Sequence, residues 1–378
     1  MKNFTLATTA LLTAFALPAY SAVTIYDKDD TTVSVDGSFN AFVAFTDVSS
    51  DVADRSQAHV RSGVLPNFSG TTFSKKIGDL TFGGRASFWV SINDSNDVLT
   101  DRTVDTRQFY GTVAGDWGTV LVGSDFTVFN ATNIFSDLNL KGFGYTTDAL
   151  GLVDGTGVSF GNIGTGFTYP LPTAQIKYTS PDFSGFKLTA ALVDPTDTSL
   201  LVNDGNRGEE SVPRIEAELS YAQGPFTGWV SVLNQKSKNI IDVSSSGVSA
   251  GFKYSGGGFN VHVSGYDGEG LGLLLGPADG EGLGLNGFIY ADGDEVDSSG
   301  LIAQASYTAG KNTFLVSAGK SELESANRSL VVENESRTIA WHRRINDTFL
   351  VVSEFTQSEI NLTNEETDTV TVGLVMDF

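Results

Sequence analysis

Acidic side chains along one long segment are the residues of this chain best placed to do chemistry. Between residues 125 and 167 no cleanly alternating strand can be identified, and the segment carries Asp125, Asp137, Lys141, Asp148 and Asp154. A structureless connector of that length is usually functional, and fixed carboxylates attract cations. We expect one or two of these acids to face basic residues elsewhere in the fold. The other interpretation is a surface loop whose charges are only solvated.

Motifs for nucleophilic or nucleotide chemistry are weak in this sequence. The stretch "GVSAG" at 247–251 has the form Gly-x-Ser-x-Gly, but it lies inside an alternating stretch and not at a strand–turn–helix elbow. The stretch "GKS" at 319–321 lacks the glycine that a phosphate loop needs five residues earlier, where Phe314 stands. We expect no enzymatic activity and no cofactor.

Metal chemistry has little support either. The chain has no cysteine and only three histidines, His59, His262 and His342, which are far apart in the sequence. His262 shares the polar face of its strand with Asn260 and Ser264, which leaves a barrel enzyme as an alternative. His342 is expected to be solvated near a turn.

A short internal repeat, "DGEGLGL", occurs at 267–273 and again at 279–285. Glycine and acid in a repeat can build a calcium-binding turn, but this spacing differs from the nonapeptide pattern. We therefore expect a duplicated, exposed loop tip.

Composition excludes several classes of function. The 378 residues include 45 Asp and Glu against 23 Lys and Arg, for a net charge of -22. Nucleic-acid binding needs basic patches, so we expect no nucleic-acid partner. The 42 glycines and 26 phenylalanines, with only 9 prolines, are typical of many short strands joined by turns. The length allows two ordinary domains or one large β-structure.

The first 21 residues have the pattern of a secretory signal peptide. Lys2 is followed by the short apolar run "LATTALLTAFAL", then Pro18 and small residues at Ala19 and Ser21. We expect cleavage before Ala22 and a single domain over 22–378. A transmembrane anchor is the alternative, but the run is short for a bilayer.

Strict alternation recurs through the mature chain and predicts strands with two unlike faces. It is clear in "TVSVDGSFNAFVAFTD", in "LTFGGRASFWVSIND" and in the final "DTVTVGLVMDF". Short turns alternate with long polar connectors such as 267–299. This order predicts about 16 antiparallel strands, with short turns at one end of the sheet and long loops at the other. An alternating last strand that ends on Phe378 is expected to pair with the first strand.

Charges in the middle of strands decide which way the polar face points. Arg85, Glu216, Glu218 and Lys253 lie on polar faces, which suits a barrel with a wet interior and lipid outside better than a soluble sandwich. Lipid also forbids unpaired edges, so the sheet must close. Aromatic residues near strand ends are expected to form interfacial girdles: Trp89 and Tyr110, Phe183 and Phe186, Tyr221 and Phe226, Tyr254 and Phe259, and Tyr307 and Phe314.

Three stretches resemble the general Gram-negative porins. "TRQFYGTVAGDWGTVLVG" at 106–123 resembles their fourth and fifth strands, "QIKYTSPDFSGFKLTAAL" at 175–192 resembles their Ser-Pro hairpin, and the start "AVTIYDKDD" and terminal Phe resemble porin ends. The resemblance implies an all-β, 16-stranded barrel in the cell outer membrane, in contact with lipid and lipopolysaccharide. It also implies a homotrimer, a third loop (125–167) folded into the lumen, and a Phe378 that the barrel assembly machinery reads.

The expected pore wall departs from the family pattern. The family often has Gly-Lys where this chain has Gly37-Ser38, and Gly-Arg where it has Gly123-Ser124, while an Arg of the second strand is replaced by Leu65. The strand-four arginine is retained as Arg107, and the other basic wall candidates are Arg61, Arg85 and Lys177. Fewer wall cations make a lumen more negative, so we expect a cation preference that salt weakens.

These observations predict a general diffusion porin that passes small hydrophilic solutes and ions passively. The main alternative is a substrate-specific channel of the sugar type, which would need an inward track of aromatic side chains. Trp89, Trp229 and Tyr266 are the candidates, and three residues are few for such a track. An adhesin or purely structural barrel is a further alternative.

Overall fold

The computed structural model describes residues 22–52, 54–92, 104–151, 159–196, 209–238, 242–278, 289–327 and 329–378. The expected signal peptide at 1–21 and the loop residue Asp154 lie outside these ranges.

The described chain is almost entirely β-structure. Its strands are β1 (Val23–Lys28), β2 (Thr31–Ser49), β3 (Arg55–Arg61), β4 (Asn67–Ile77), β5 (Leu80–Val90), β6 (Asp105–Gly115), β7 (Gly118–Phe126), β8 (Pro172–Thr179), β9 (Phe186–Val193), β10 (Arg214–Gln223), β11 (Phe226–Ser237), β12 (Val243–Gly256), β13 (Phe259–Glu269), β14 (Tyr290–Ala291), β15 (Asp294–Ala309), β16 (Asn312–Ser325), β17 (Val331–Arg344), β18 (Phe349–Ile360) and β19 (Glu365–Asp377). One short helix, α1 (Ala131–Ser136), and a single 3₁₀ turn (Gly276–Ala278) accompany them. None of the described helices has the length and apolar character needed to cross a membrane.

The sheet closes on itself into a 16-stranded antiparallel barrel, as predicted. The last strand, β19, pairs with β2 in a register that places Leu374 opposite Ala41. Three of the strands do not add to the ring: β1 pairs with the start of β2, β3 pairs with its end, and β14 is a two-residue extension beside β15. Closure removes the free edges that a lipid environment forbids.

The two faces of the sheet are inverted relative to a soluble sandwich. On β10, Ile215 and Leu219 are 55% and 51% exposed, whereas Glu216 and Glu218 between them are 0% and 4% exposed. The same alternation continues around the barrel, with apolar side chains outward and polar side chains inward. An apolar outer band over a polar interior is the pattern of a membrane barrel, so the prediction from mid-strand charges is confirmed.

Outward aromatic side chains gather where the short turns are. Ring pairs join neighbouring strands there, with centroids 4.4 Å apart for Phe186 and Tyr221 and 4.5 Å apart for Phe259 and Tyr307. The prediction was wrong for Trp89, which is fully buried on the inward face. Tyr110 lies opposite Arg85 in the β5–β6 pair and belongs to the same inward face. Alternation indicates the inward face for both residues, and a position near a strand end does not by itself turn an aromatic side chain outward.

Candidate functional site: the long connector and the barrel wall

The connector between β7 and β8, which the structure describes at residues 127–151 and 159–171, is the main irregular segment of the described chain. It begins later than predicted because β7 continues through Asp125 and Phe126, which pair with Thr173 and Pro172 of β8. Its α1 helix follows Asn130, whose φ of 60° allows the sharp entry turn.

Glutamates of the barrel wall hold the connector through its backbone. At its start, Glu216 Oε2 accepts the N–H groups of Val128 and Phe129 at 2.6 and 2.7 Å. The other oxygen of Glu216 pairs with Arg214 Nε at 2.8 Å. The irregular backbone thus gains charged acceptors for amides that have no partner in a helix or sheet.

Two more wall glutamates repeat this contact on the other side of the connector. Glu354 accepts the N–H of Phe143 at 3.0 Å and that of Gly144 at 2.9 Å. Glu365 accepts Thr147 Oγ1 at 2.7 Å and the N–H of Asp148 at 2.6 Å. Loop acids were expected to meet wall cations, and the contacts of these wall acids with loop amides were not predicted. The available signal was a glutamate at an inward position of a strand, as noted for Glu216.

Asp125 and Lys177 form a buried ion pair at the root of the connector. Lys177 Nζ lies 2.6 Å from Asp125 Oδ2, and both residues are almost completely buried. Gln108 Nε2 donates to the other carboxylate oxygen at 2.9 Å. A buried pair of this kind fixes the position of the strand end from which the connector starts.

The other described loop charges have different partners. Asp137 is held by amide groups, with Gln304 Nε2 at 2.6 Å and Asn162 Nδ2 at 3.0 Å. Asp148 forms an ion pair with Arg55 of β3. Lys141 forms one with Asp377, the penultimate residue. The loop charges are therefore distributed over several wall strands and do not converge on one point.

The predicted basic wall residues all lie on the inward side, and each of them makes contacts there. Arg85 makes a two-pronged contact with Asp36, at 2.8 and 2.9 Å, and its Nε donates to Gln108. Arg61 is buried at the end of β3. Arg107 is held by Asp105, at 2.7 Å from Nε. A two-pronged arginine–carboxylate contact is among the strongest charged hydrogen bonds.

Arg107 also lies over an inward aromatic cluster. Its guanidinium carbon is 4.9 Å from the Trp89 ring centroid, and its Nη1 donates to Tyr169 Oη at 2.8 Å. Trp89 stacks on Phe68, with centroids 4.7 Å apart, and meets Phe126 edge-on. Burial raises the pKa of Tyr169, so its hydroxyl stays neutral and accepts from Arg107. The cluster joins the two ends of the connector to β4, β5 and β6.

A second irregular segment, the leucine segment at residues 270–278, packs against the connector. Leu271, Leu273 and Leu274 are all 0% exposed. Tyr169 N donates to Leu274 O at 2.6 Å, and Ser298 Oγ donates to Gly272 O at 2.8 Å. The expected exposed loop tip was therefore wrong for the first copy of the repeat. The second copy lies outside the described residues.

His262, His342 and the serine motif all lie in strands of the barrel wall. His342, expected to be solvated, is instead buried on β17, with Nε2 4.0 Å from Glu354 Oε1. His262 is buried, contacts Gln304 at 2.8 Å and stacks on Trp229. The "GVSAG" stretch lies inside β12, with no elbow after it.

Comparison with known proteins identifies the family. A family profile described as Gram-negative porin matches residues 7–340. The chain belongs to the Gram-negative porin family. No curated protein sequence matches it closely enough to count as a relative.

Solved porins and related channels share the fold of this porin at low identity. The anion-selective porin from Comamonas acidovorans has 14% identity and a TM-score of 0.66, covering 92% of this chain and 100% of that chain. The outer-membrane channel DcaP of Acinetobacter baumannii has 14% identity and a TM-score of 0.69, covering 94% and 100%. Salmonella typhi OmpF, solved with daunomycin, has 12% identity and a TM-score of 0.63, covering 94% and 100%. The porin is thus an outer-membrane channel with a multi-pass β-barrel.

The two ends of the porin barrel meet at Phe378. Its N–H and C=O exchange hydrogen bonds with Gly37 at 3.0 and 2.8 Å, and its ring stacks on Phe39 with centroids 5.5 Å apart. A larger side chain at position 37 would collide with the Phe378 ring, so only glycine fits there. The terminal phenylalanine therefore completes the seam of the barrel.

Proposed function

We propose that this porin is a general diffusion channel whose connector, residues 127–171, folds into the lumen and narrows it. The observation that carries the proposal is the set of wall glutamates. Their inward side chains on β10, β18 and β19 accept hydrogen bonds from the backbone of the connector at Val128, Phe143 and Asp148. Contacts from inward side chains of several strands to one segment support a position inside the space that these strands enclose. Solutes would pass the remaining space down their own gradients, with no cofactor.

We also propose that the channel prefers cations. The chain carries a net charge of -22. The wall cations Arg85, Arg107 and Lys177 each contact a carboxylate, which offsets their charge. In contrast, no lysine or arginine of the described residues forms an ion pair with Glu218 or Glu354, so no wall cation offsets the charge of these two groups when they are ionised. The Comamonas porin is anion-selective, so side chains and not the fold must set the sign.

Export, assembly and oligomeric state complete the proposal. Residues 1–21 act as a signal peptide, Phe378 is recognised by the barrel assembly machinery, and the barrel contacts lipid and lipopolysaccharide through its apolar band. A homotrimer is proposed because the family resemblance implies it, and because a similar Vibrio cholerae barrel, OmpT, is described in a trimer form (TM-score 0.60, 14% identity).

A substrate-specific channel of the sugar type is the second candidate. Aromatic faces can bind the apolar side of a sugar ring, and Tyr169 is a partly exposed ring of the inward cluster, whereas Trp89 and Phe126 are buried. Saturable uptake into liposomes, with competition between sugars, would support this candidate. Flux that depends only on solute size would support general diffusion.

Planar lipid bilayers provide the deciding experiment. We expect the purified porin to give stepwise ohmic conductance, and a reversal potential in a KCl gradient that favours K⁺ at low salt and less so near 1 M, where screening lengths fall to about 3 Å. Equal K⁺ and Cl⁻ permeability at low salt would contradict the cation preference. An absence of any conductance would contradict the channel itself.

A further inference from the structure

Glu218 differs from the other wall glutamates because one of its oxygens has neither a hydrogen bond nor an ion pair, whereas Glu216 Oε1 pairs with Arg214. The Oε1 atom of Glu218 accepts the hydroxyl of Thr132 in α1 at 2.8 Å, while its Oε2 is buried without any hydrogen-bond partner. No lysine or arginine of the described residues pairs with it. Its neighbour on the same face, Glu216, has an arginine and two backbone amides instead.

Residues with hydroxyl side chains lie opposite Glu218 on both neighbouring strands. Thr189 of β9 and Ser231 of β11 lie directly opposite Glu218 in the two strand pairs that flank it. Both side chains are buried, and Ser231 Oγ also has no hydrogen-bond partner. Two adjacent strands therefore each present a buried oxygen atom, one of a carboxyl group and one of a hydroxyl group, that has no hydrogen-bond partner among the described residues.

A buried carboxylate without a counter-charge is strongly unfavourable, and buried charges are normally paired or bound to a metal ion. Oxygen donors of the carboxylate and hydroxyl type match hard cations. A single carboxylate balances a single positive charge, and among the described residues no group of three or more His, Asp or Glu is placed to hold a metal ion. Both facts favour a monovalent ion over a divalent one.

We propose that Glu218, with Ser231 and the hydroxyls of Thr132 and Thr189, binds a monovalent alkali cation on the inner wall of the barrel. This inference rests on the proposed channel function and deepens it, because it assigns part of the cation preference to one residue. The bound ion lies between the wall and α1, so cations are enriched where the connector narrows the passage.

The first test is the variant Glu218→Gln, which keeps the shape of the side chain and removes the charge. Glu359→Gln is the matched control, because Glu359 is an exposed glutamate on the outer face of β18. We expect Glu218→Gln to lower the K⁺/Cl⁻ permeability ratio at low salt by about twofold, the effect of one charge several ångströms from the ion path in a wet channel. The control should keep the ratio of the native porin.

The second test locates the ion directly and does not depend on how the variant behaves in bilayers. Crystals of the native porin soaked in a thallium(I) salt should show an anomalous peak within coordination distance of Glu218 and Ser231. Crystals of Glu218→Gln should lack it.

The outcomes separate the two proposals. A native porin that prefers K⁺, together with a Glu218→Gln variant that keeps the native ratio and native crystals without the thallium peak, would overturn the site and leave the channel function intact. This result would also be expected if Glu218 were protonated, since glutamine mimics the neutral acid. A native porin without cation preference would overturn the proposed selectivity, and the thallium peak alone would then decide the site.

Discussion

The carboxylate of Glu365 accepts the backbone N–H of Asp148 at 2.6 Å, while the carboxylate of Asp148 itself pairs with Arg55. One loop residue is thus held from two sides, by an acid of β19 through its main chain and by a base of β3 through its side chain. The main-chain contact does not depend on the type of loop residue. A wall glutamate can therefore fix an irregular segment whose own sequence contains no residue type that marks the contact.

Removing such a glutamate should loosen the connector. In Glu365→Ala the amides of Asp148 and Ala149 and the hydroxyl of Thr147 lose their acceptor. Leaving a buried donor unsatisfied costs about 1–3 kcal/mol. We expect larger and noisier single-channel currents than in the native porin.

The neighbouring glutamate provides the control for that variant. Glu366 lies on the outer face of the same strand and contacts Gln357. Glu366→Ala should give native current noise, and equal noise in the two variants would contradict the role assigned to Glu365.

Breaking the buried pair at the root of the connector should destabilise the barrel. Lys177→Met leaves Asp125 buried without its counter-charge, which costs about 3–5 kcal/mol. We expect a clear shift of the urea unfolding midpoint in detergent to lower concentration, and partial recovery in Lys177→Met with Asp125→Asn. Lys320→Met removes a more exposed lysine that pairs with Glu322, and it should change the midpoint little. A similar shift in both lysine variants would contradict the argument.

The fold could be predicted from sequence because a membrane barrel repeats one simple rule at every second residue. Alternation in the last strand, with Leu374 outward, predicted closure onto the first strand, and the register that pairs it with Ala41 confirms this. The same rule places Glu216 inward without saying what it contacts. Its partners are main-chain amides of Val128 and Phe129, which every sequence contains, so no residue type marked the contact.

The leucine segment shows a second reason for incomplete prediction. In "DGEGLGLLLG" the glycines and acids are typical of an exposed turn, and the stretch is too short to show a period. The leucines are buried because Tyr169 of the connector and inward residues such as Ile302 and Val296 offer an apolar surface far away in sequence. Only the closed barrel brings these residues together.

Shortening those leucines should widen the passage. Replacing Leu273 and Leu274 by alanine removes fully buried side chains, and each such change costs about 2–5 kcal/mol of local packing. We expect the leucine segment to detach from the connector, with higher single-channel conductance and faster entry of larger sugars into liposomes. Leu301→Ala on the outer face of β15 is the control. Native conductance in the double variant would contradict a role for the segment in pore size.

The terminal phenylalanine should matter more for assembly in cells than for the stability of the finished barrel. Phe378→Ala keeps both backbone bonds to Gly37 and loses only the stacking on Phe39, worth about 0.5–1.5 kcal/mol. We therefore expect near-native folding into detergent, but a marked loss of folded porin from the outer-membrane fraction of cells, because the assembly machinery is proposed to read this ring. Phe355→Ala, an outward phenylalanine on β18, should be assembled normally. Equal amounts of the two variants in the outer membrane would remove the assembly role from Phe378 and leave it as a seam residue only.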